Sequence, residues 1–181
     1  MNGETLATGT ALEGAAAAAL SGAAKLRYLL VALAVLVADQ WTKWLVEVHL
    51  PPHSAHPVVP GFLNLTHIRN NGVAFGLFAS DGGGNSWLLT ALGLAALAAV
   101  LAYFWLASAR DRVLLVALAL VVGGALGNLI DRVASGAVTD FVDVYVGTRH
   151  WPAFNVADSA ISVGIVLMAL DSLRGTRARQ T

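Results

Sequence analysis

The chain is 181 residues long, 57% hydrophobic and only 12% charged, with equal numbers of acidic and basic side chains and no formal net charge. Soluble domains carry about 25% charged residues, so an ordinary water-facing fold is excluded, and the balanced charge gives no reason to expect a nucleic-acid partner. With no cysteine in the chain, disulfides, thiolate catalysis and Cys-based zinc sites are excluded too, which leaves Asp, His, Ser, Lys and Asn to carry any chemistry.

Residues 1–24 are rich in Ala, Gly and Thr and read as a mobile cytoplasmic tail with local helix through the alanines. A cleaved secretory signal is the rival reading, because Lys25 and Arg27 precede an apolar stretch. That stretch, LLVALAVLVADQWTKWLV, is too long for a signal core and carries Asp39 and Lys43 in its second half. A transmembrane helix over about 26–46 fits it better. Asp39 and Lys43 stand four apart on one helical face, where they can neutralise each other. Two readings of the pair stay open: a structural ion pair flanked by the interfacial anchors Trp41 and Trp44, or a contact with an active site.

From His49 to Phe78 the chain changes character. Prolines forbid a continuing helix, while Phe62, Asn64, Thr66 and Ile68 alternate with Leu63, Leu65 and His67 in strand fashion, ahead of the turn pair Asn71–Gly72. A small, partly β-structured lobe over about 49–78 is expected on the membrane surface. His49, His53 and His56 have no carboxylate at ligand spacing, so no metal site is expected there. A glycine-rich link, Asp81 to Asn85, leads to a second span over 86–106, and the short hairpin SARDR leads to a third over 113–130. Gly123, Gly124 and Gly127 in that third span let a neighbouring backbone approach closely. A loop from Asp131 to Pro152, a fourth span over 154–173 and a basic cytoplasmic tail over 174–181 complete the chain. The fold class expected is therefore an all-α membrane protein of four transmembrane helices, residues 25–173, with a small extracytoplasmic β-cradle or surface lobe.

Charge sets the orientation. Lys25, Arg27, Arg110, Arg112, Arg174, Arg177 and Arg179 fall on one side of these spans, and Lys43, Arg69, Arg132 and Arg149 on the other. The positive-inside rule then places both termini in the cytoplasm and the polar segments 49–78 and 131–152 outside. On that outer face gather Asp39, Lys43, Asn70, Asn128, Asp131, Arg132, Asp140, Asn155 and Asp158. Ionisable groups at the edge of lipid cost several kcal/mol unless paired, and such placements are usually functional. Asp140 and Asp158 lie at the mouths of successive apolar segments and can face each other. A carboxylate pair of this kind can activate water against an amide carbonyl, one member ionised and the other donating a proton. The helix N-terminus favours Asp158 as the anion. Asp131 beside Arg132 reads as a plain salt bridge. Asp143 is an alternative partner for Asp140 but reads rather as a solvated loop residue. Ser159 lacks an activating base at an obvious position. A transporter or channel with an interfacial carboxylate cluster, and a non-enzymatic assembly factor, remain competing readings of the same residues.

The strings DQWTK, RNNGVAFG, GGALGNLIDR, VTDF and WPAFNVADS resemble, in order and spacing, the motifs of lipoprotein signal peptidase (signal peptidase II), a family of bacterial membrane aspartyl proteases. The match runs from about Leu26 to Leu173. The resemblance implies that the family's catalytic aspartates fall on Asp140 and Asp158. Asp39, Lys43, Asn70, Gly72, Asn128, Asp131, Arg132 and Asn155 then support the site or bind substrate. It further implies four helices with a β-cradle and a surface helix, a monomer in the cytoplasmic (inner) membrane, and no metal or organic cofactor. The implied substrate is a diacylglyceryl-modified prolipoprotein, cut on the N-terminal side of the lipidated cysteine, with membrane lipid as surroundings and globomycin as inhibitor. The long N-terminal extension and Asp143 are where this chain departs from the family pattern.

Overall fold

The computed structural model describes residues 3–72 and 86–178, with side chains over 22–72 and 87–173. The glycine-rich link and the last six residues of the expected lobe, 73–78, including the Val73–Gly76 part of RNNGVAFG, lie outside the described residues. Four helices are present: α1 (Gly3–His49), α2 (Ser86–Leu106), α3 (Arg112–Ser135) and α4 (Val156–Ala178). Between them lie four strands, β1 (Ala55–Val59), β2 (Leu63–Asn70), β3 (Val138–Val146) and β4 (Arg149–His150). Each helix contains a stretch long and apolar enough to cross a membrane, over Gly22–His49, Trp87–Leu106, Arg112–Ser135 and Val156–Leu173. The first of these continues back to Gly3, so the alanine-rich segment is helical, in keeping with the high helix propensity of Ala.

The third helix is the hub of the bundle. Of its apolar window 56% is buried, against 22%, 17% and 17% in α1, α2 and α4, and it packs on all three. Its glycines make that possible. A Cβ at Gly123 would strike the α1 backbone at Ala32, one at Gly124 the α4 backbone at Ala157, and one at Gly127 the Asp39 carboxylate. Small residues at these contacts let helices approach where lipid offers no hydrophobic drive to press them together. Phe104, Leu115, Leu118 and Val122 fill the buried core with Tyr28, Ala32 and Leu97. Leu30, Val37, Leu106, Val163, Ile165 and Leu173 stand exposed on the outside, as lipid-facing residues should.

The strands form one antiparallel sheet in the order β1-β2-β3-β4 at one end of the bundle. Strand β3 was not expected, since residues 131–152 read as a loop. The run VTDFVDVYV is rich in β-branched and aromatic residues, and it pairs with β2 through Leu63↔Val144 and Ile68↔Asp140. The helix α3 also runs five residues further than its apolar run suggested, to Ser135. It encloses Asp131 and Arg132 and stops where Gly136 adopts φ 74° and donates its N–H to Arg132 O, a left-handed C-cap that glycine adopts without steric cost. Just before α4, Phe154 pairs with Val142 in an isolated bridge, with N–H···O distances of 2.8 and 3.1 Å. That bridge lays the start of α4 against β3.

Candidate active site

Asp140 sits in β3, where side chains alternate between faces, and shares its face with Val138 and Val142. It is 2% exposed. Asn70, at the end of β2, reaches diagonally across the strand pair and donates Nδ2 to Asp140 Oδ2 at 2.9 Å, while Asn155 donates Nδ2 to Oδ1 at 2.8 Å. Burial is the main cause that pushes the Asp140 carboxyl up to about 7. The neighbouring charge of Asp158 adds to it, and the amides of Asn70 and Asn155, together with Lys43, oppose it.

Asp158 occupies the first turn of α4. Asn155 N donates to Asp158 Oδ2 at 3.3 Å, and Asp158 N donates to Asn155 Oδ1 at 2.9 Å. This reciprocal pair is a capping box, which satisfies two backbone donors and fixes the carboxylate against the helix start. The second oxygen, Oδ1, accepts from Asn128 Nδ2 of α3 at 2.7 Å. Asn155 is fully buried and touches both acids, holding Asp140 by its side chain and Asp158 by its backbone. The Phe154–Val142 bridge is what brings it there.

Both acids open on one cavity of about 650 Å³. Its wall includes Asn70, Gly72, Asn128 and Arg132, and it continues past Trp151–Phe154 and along α4 to Ser159, Ser162 and Val163. Of the residues expected to form a site, Asp39, Lys43, Asp131 and Asn155 are absent from that lining and stand behind it. Lys43 Nζ lies 2.8 Å from Asp39 Oδ2 and 2.8 Å from Asp131 Oδ2, and donates to Asn128 Oδ1 at 3.0 Å. The Asp39–Lys43 ion pair is therefore present, and the lysine also reaches Asp131 and Asn128, the latter in the cavity wall. Trp41 and Trp44 face outward at 61% and 55% exposed.

Two expectations are corrected. Asp131 does not pair with Arg132; helical geometry turns it toward α1, where Lys43 and Gln40 take it. Neighbours in a helix point about 100° apart, so adjacent residues rarely face each other. Asp143 is not a solvated loop residue: it is 8% exposed, accepts from Asn64 Nδ2 at 2.9 Å and lies 2.8 Å from His150 Nδ1. An odd spacing from Asp140 puts it on the opposite face of β3, away from the cavity. Ser159 Oγ donates to Asn155 O at 2.9 Å. Among the described residues no three His, Asp or Glu side chains converge as a metal site.

Sequence reasoning missed Gln40. Its Nε2 donates to Asp131 Oδ1 at 2.9 Å, Gly127 O at 3.2 Å and Asp39 Oδ2 at 3.3 Å. It also missed Thr139, 1% exposed, whose hydroxyl donates to Glu47 Oε1 at 2.6 Å. The only signal for Gln40 was its place inside DQWTK, and for Thr139 its place inside VTDF; neither string announces the partners Asp131 and Glu47, which are distant in sequence.

A model of the family described as signal peptidase (SPase) II matches residues 31–174. The chain belongs to the signal peptidase II family. It is 46% identical over 157 residues to a lipoprotein signal peptidase of Burkholderia mallei (strain SAVP1), covering 87% of this chain and 93% of that one. With the lipoprotein signal peptidase of Syntrophus aciditrophicus (strain SB) it shares 44% identity over 152 residues, 81% and 92% of the two chains. Two solved structures described as bacterial membrane enzymes, obtained by the in meso method, superpose on it. One gives a TM-score of 0.69 at 36% identity over 83% of this chain and 89% of the other; the second gives 0.66 at 34% over 81% and 92%. As a member of signal peptidase II, with four apolar helices, the chain is a multi-pass peptidase of the bacterial inner membrane rather than a transporter or an assembly factor.

Proposed function

We propose that this chain is an aspartic endopeptidase that removes the signal peptide from diacylglyceryl-modified prolipoproteins, cutting on the N-terminal side of the lipidated cysteine. The observation that carries this reading is that Asp140 and Asp158 open on one cavity and are held by the same buried residue, Asn155. The Burkholderia mallei and Syntrophus aciditrophicus relatives are both lipoprotein signal peptidases, which supports the substrate class.

In this reading Asp140, pushed up to about 7, is the group that holds a proton near neutral pH. Asp158, at a helix start with two N–H groups donating to it, is the base. Water lying between them loses a proton to Asp158 as its oxygen attacks the scissile carbonyl, and Asp140 donates its proton to the carbonyl oxygen. Collapse of the tetrahedral intermediate breaks the C–N bond, the amine leaving with the proton that Asp158 had taken while one hydroxyl of the diol returns its proton to Asp140, which restores both acids. Arg132, which lines the cavity, is placed to bind a peptide carbonyl oxygen.

The substrate explains the location. Each acyl methylene contributes about 0.8 kcal/mol to membrane anchoring, so the lipidated cysteine stays at the bilayer surface and the acids must meet it there. The cavity's extension along α4, past Ser159, Ser162 and Val163, gives an acyl chain or the signal helix a path between spans. In this reading the chain works as a monomer, both termini lie in the cytoplasm, the sheet end faces outward, and globomycin occupies the same cavity. The test is cleavage of a synthetic diacylglyceryl-modified precursor by purified Asp140→Asn and Asp158→Asn variants. Both should insert and fold yet lose about 10³-fold or more in kcat; a wild-type rate in either would overturn the dyad.

A further inference from the structure

Asp39 and Asp131 stand outside the cavity lining, and each holds the backbone one residue ahead of an acid. Asp39 Oδ1 accepts from Ala157 N at 2.9 Å, immediately before Asp158. Asp131 Oδ2 accepts from Thr139 N at 3.3 Å, immediately before Asp140. Lys43 Nζ lies between the two carboxylates at 2.8 Å from each, and its third donor goes to Asn128 Oδ1. An ammonium has three protons, so none is left over. The amide of Asn128 is thereby oriented: its oxygen takes Lys43 and Asn155, and its nitrogen is turned to Asp158.

Stability does not explain this cluster. Burying one cation with two anions costs several kcal/mol per ion before any pairing, and apolar side chains of the same volume hold helices together at least as well. Apolar side chains do not, however, accept amide protons at fixed points. Ala157 and Thr139 are 0% and 1% exposed, so water is not at hand to replace a lost carboxylate, and an unpaired buried N–H would have to move.

We propose that Asp39, Lys43 and Asp131 form one positioning unit that sets the separation and orientation of Asp140 and Asp158. In it α4 is anchored on Asp39, β3 on Asp131, and the lysine holds the two anchors at a fixed spacing. None of the three touches substrate. The inference rests on the dyad reading above and adds to it where the dyad's geometry comes from.

The experiment measures kcat and KM against pH for the full-length chain in detergent micelles, with a synthetic diacylglyceryl-modified peptide as substrate. The variants are Lys43→Met, Asp131→Ala and Asp131→Asn, with Asp140→Asn as reference. Lys43→Met and Asp131→Ala should lower kcat about 10²-fold, the order expected for a misplacement near 1 Å, with KM unchanged. Asp131→Asn keeps an oxygen for Thr139 N and should recover about tenfold of that loss. Because the Asp158 charge helps hold Asp140 near 7, separating the acids in the Asp131 variants should move the basic limb of the profile to lower pH, by up to about one unit. In Lys43→Met the loss of the lysine charge, which lowers the Asp140 value, opposes that shift, so the limb is read in the Asp131 pair. A merely structural role would scale the rate at every pH with the folded fraction and leave the limb in place.

Wild-type kcat in the folded variants overturns the proposal, as does a loss with an unmoved limb and no advantage of Asp131→Asn over Asp131→Ala. If Lys43→Met does not fold, the Asp131 pair decides. Should Asp140→Asn remain active, the dyad reading itself fails. Should it be dead while the Asp131 variants run at full rate, only the positioning unit fails.

Discussion

Helix α1 carries two buried lysines, one at each end of the bundle, and they are held in different ways. Lys25, 5% exposed, donates to Trp105 O at 2.6 Å, near the end of α2. That is a cation on a helix C-terminus, where unpaired carbonyls and the dipole favour it. Lys43, 3% exposed, meets two carboxylates and an amide drawn from α1 and α3. The first closes off one helix end; the second ties four elements to one point. Equal burial therefore says little about a lysine's role, and the number and origin of its partners says much.

Substitutions at the two ends sharpen that contrast. The largest effect after the acids themselves is expected at Asn155. Asn155→Ala removes the contact with Asp140 and half of the capping box, and should cost about 10²-fold in kcat with about 1 kcal/mol of stability. Peptide cleavage and thermal unfolding in detergent measure the two separately. Gly127→Ala comes next, because its methyl would meet the Asp39 carboxylate. Overpacking of this kind costs about 1–3 kcal/mol, and here it should lower kcat as well. Gly93→Ala is the control, since only Leu129 Cδ1 comes near, at an ordinary 3.8 Å, and it should leave both readouts alone or gain slightly in helix propensity.

Asp140 gives a prediction of the opposite sign. Its folded pKa lies above the usual carboxylate value, so the native state binds the proton more tightly than the unfolded chain does. Stability is then highest at low pH and falls as pH rises from the usual carboxylate range to about 7, beyond which the loss is complete. Asp140→Asn removes the charge, though one of its two amide partners loses an acceptor. At pH 8 this variant should be more stable than the parent by about 1–2 kcal/mol in thermal unfolding, and at pH 4 the advantage should vanish. Catalysis in the parent should fall through the same region near 7, as the proton needed for the carbonyl oxygen is lost. Apart from the Gly93→Ala control, the smallest effect belongs to Lys25→Met, which should cost about 1 kcal/mol in a melt and leave cleavage unchanged. A large loss of activity there would erase the distinction between the two ends.

Much of the architecture could be read from the chain because lipid imposes simple rules. Four apolar runs marked four spans, and the change of composition after His49 marked the sheet end. Asp140 and Asp158 stood out because carboxylates at the ends of apolar runs are conspicuous. What escaped was non-local. Strand β3 depends on pairing with β2, which lies about seventy residues earlier, and no local period announces a partner at that distance. Asp131 beside Arg132 looked self-sufficient in the sequence, whereas α3 continues and turns the acid onto Lys43. Asp143 looked solvated for a similar reason: Asn64 and His150, the groups that satisfy it, come from other strands.

The link from α3 to β3 is only Gly136 and Ala137, with the glycine at φ 74°. Asp131 and Asp140 consequently ride on one short, stiff hairpin of helix and strand, and a single inserted residue there would throw β3 out of register and turn Asp140 to the other side of the sheet. The exposed turn between β3 and β4 at Gly147 carries no such constraint, which makes it the place to graft an epitope or a fluorophore onto this enzyme without disturbing its chemistry.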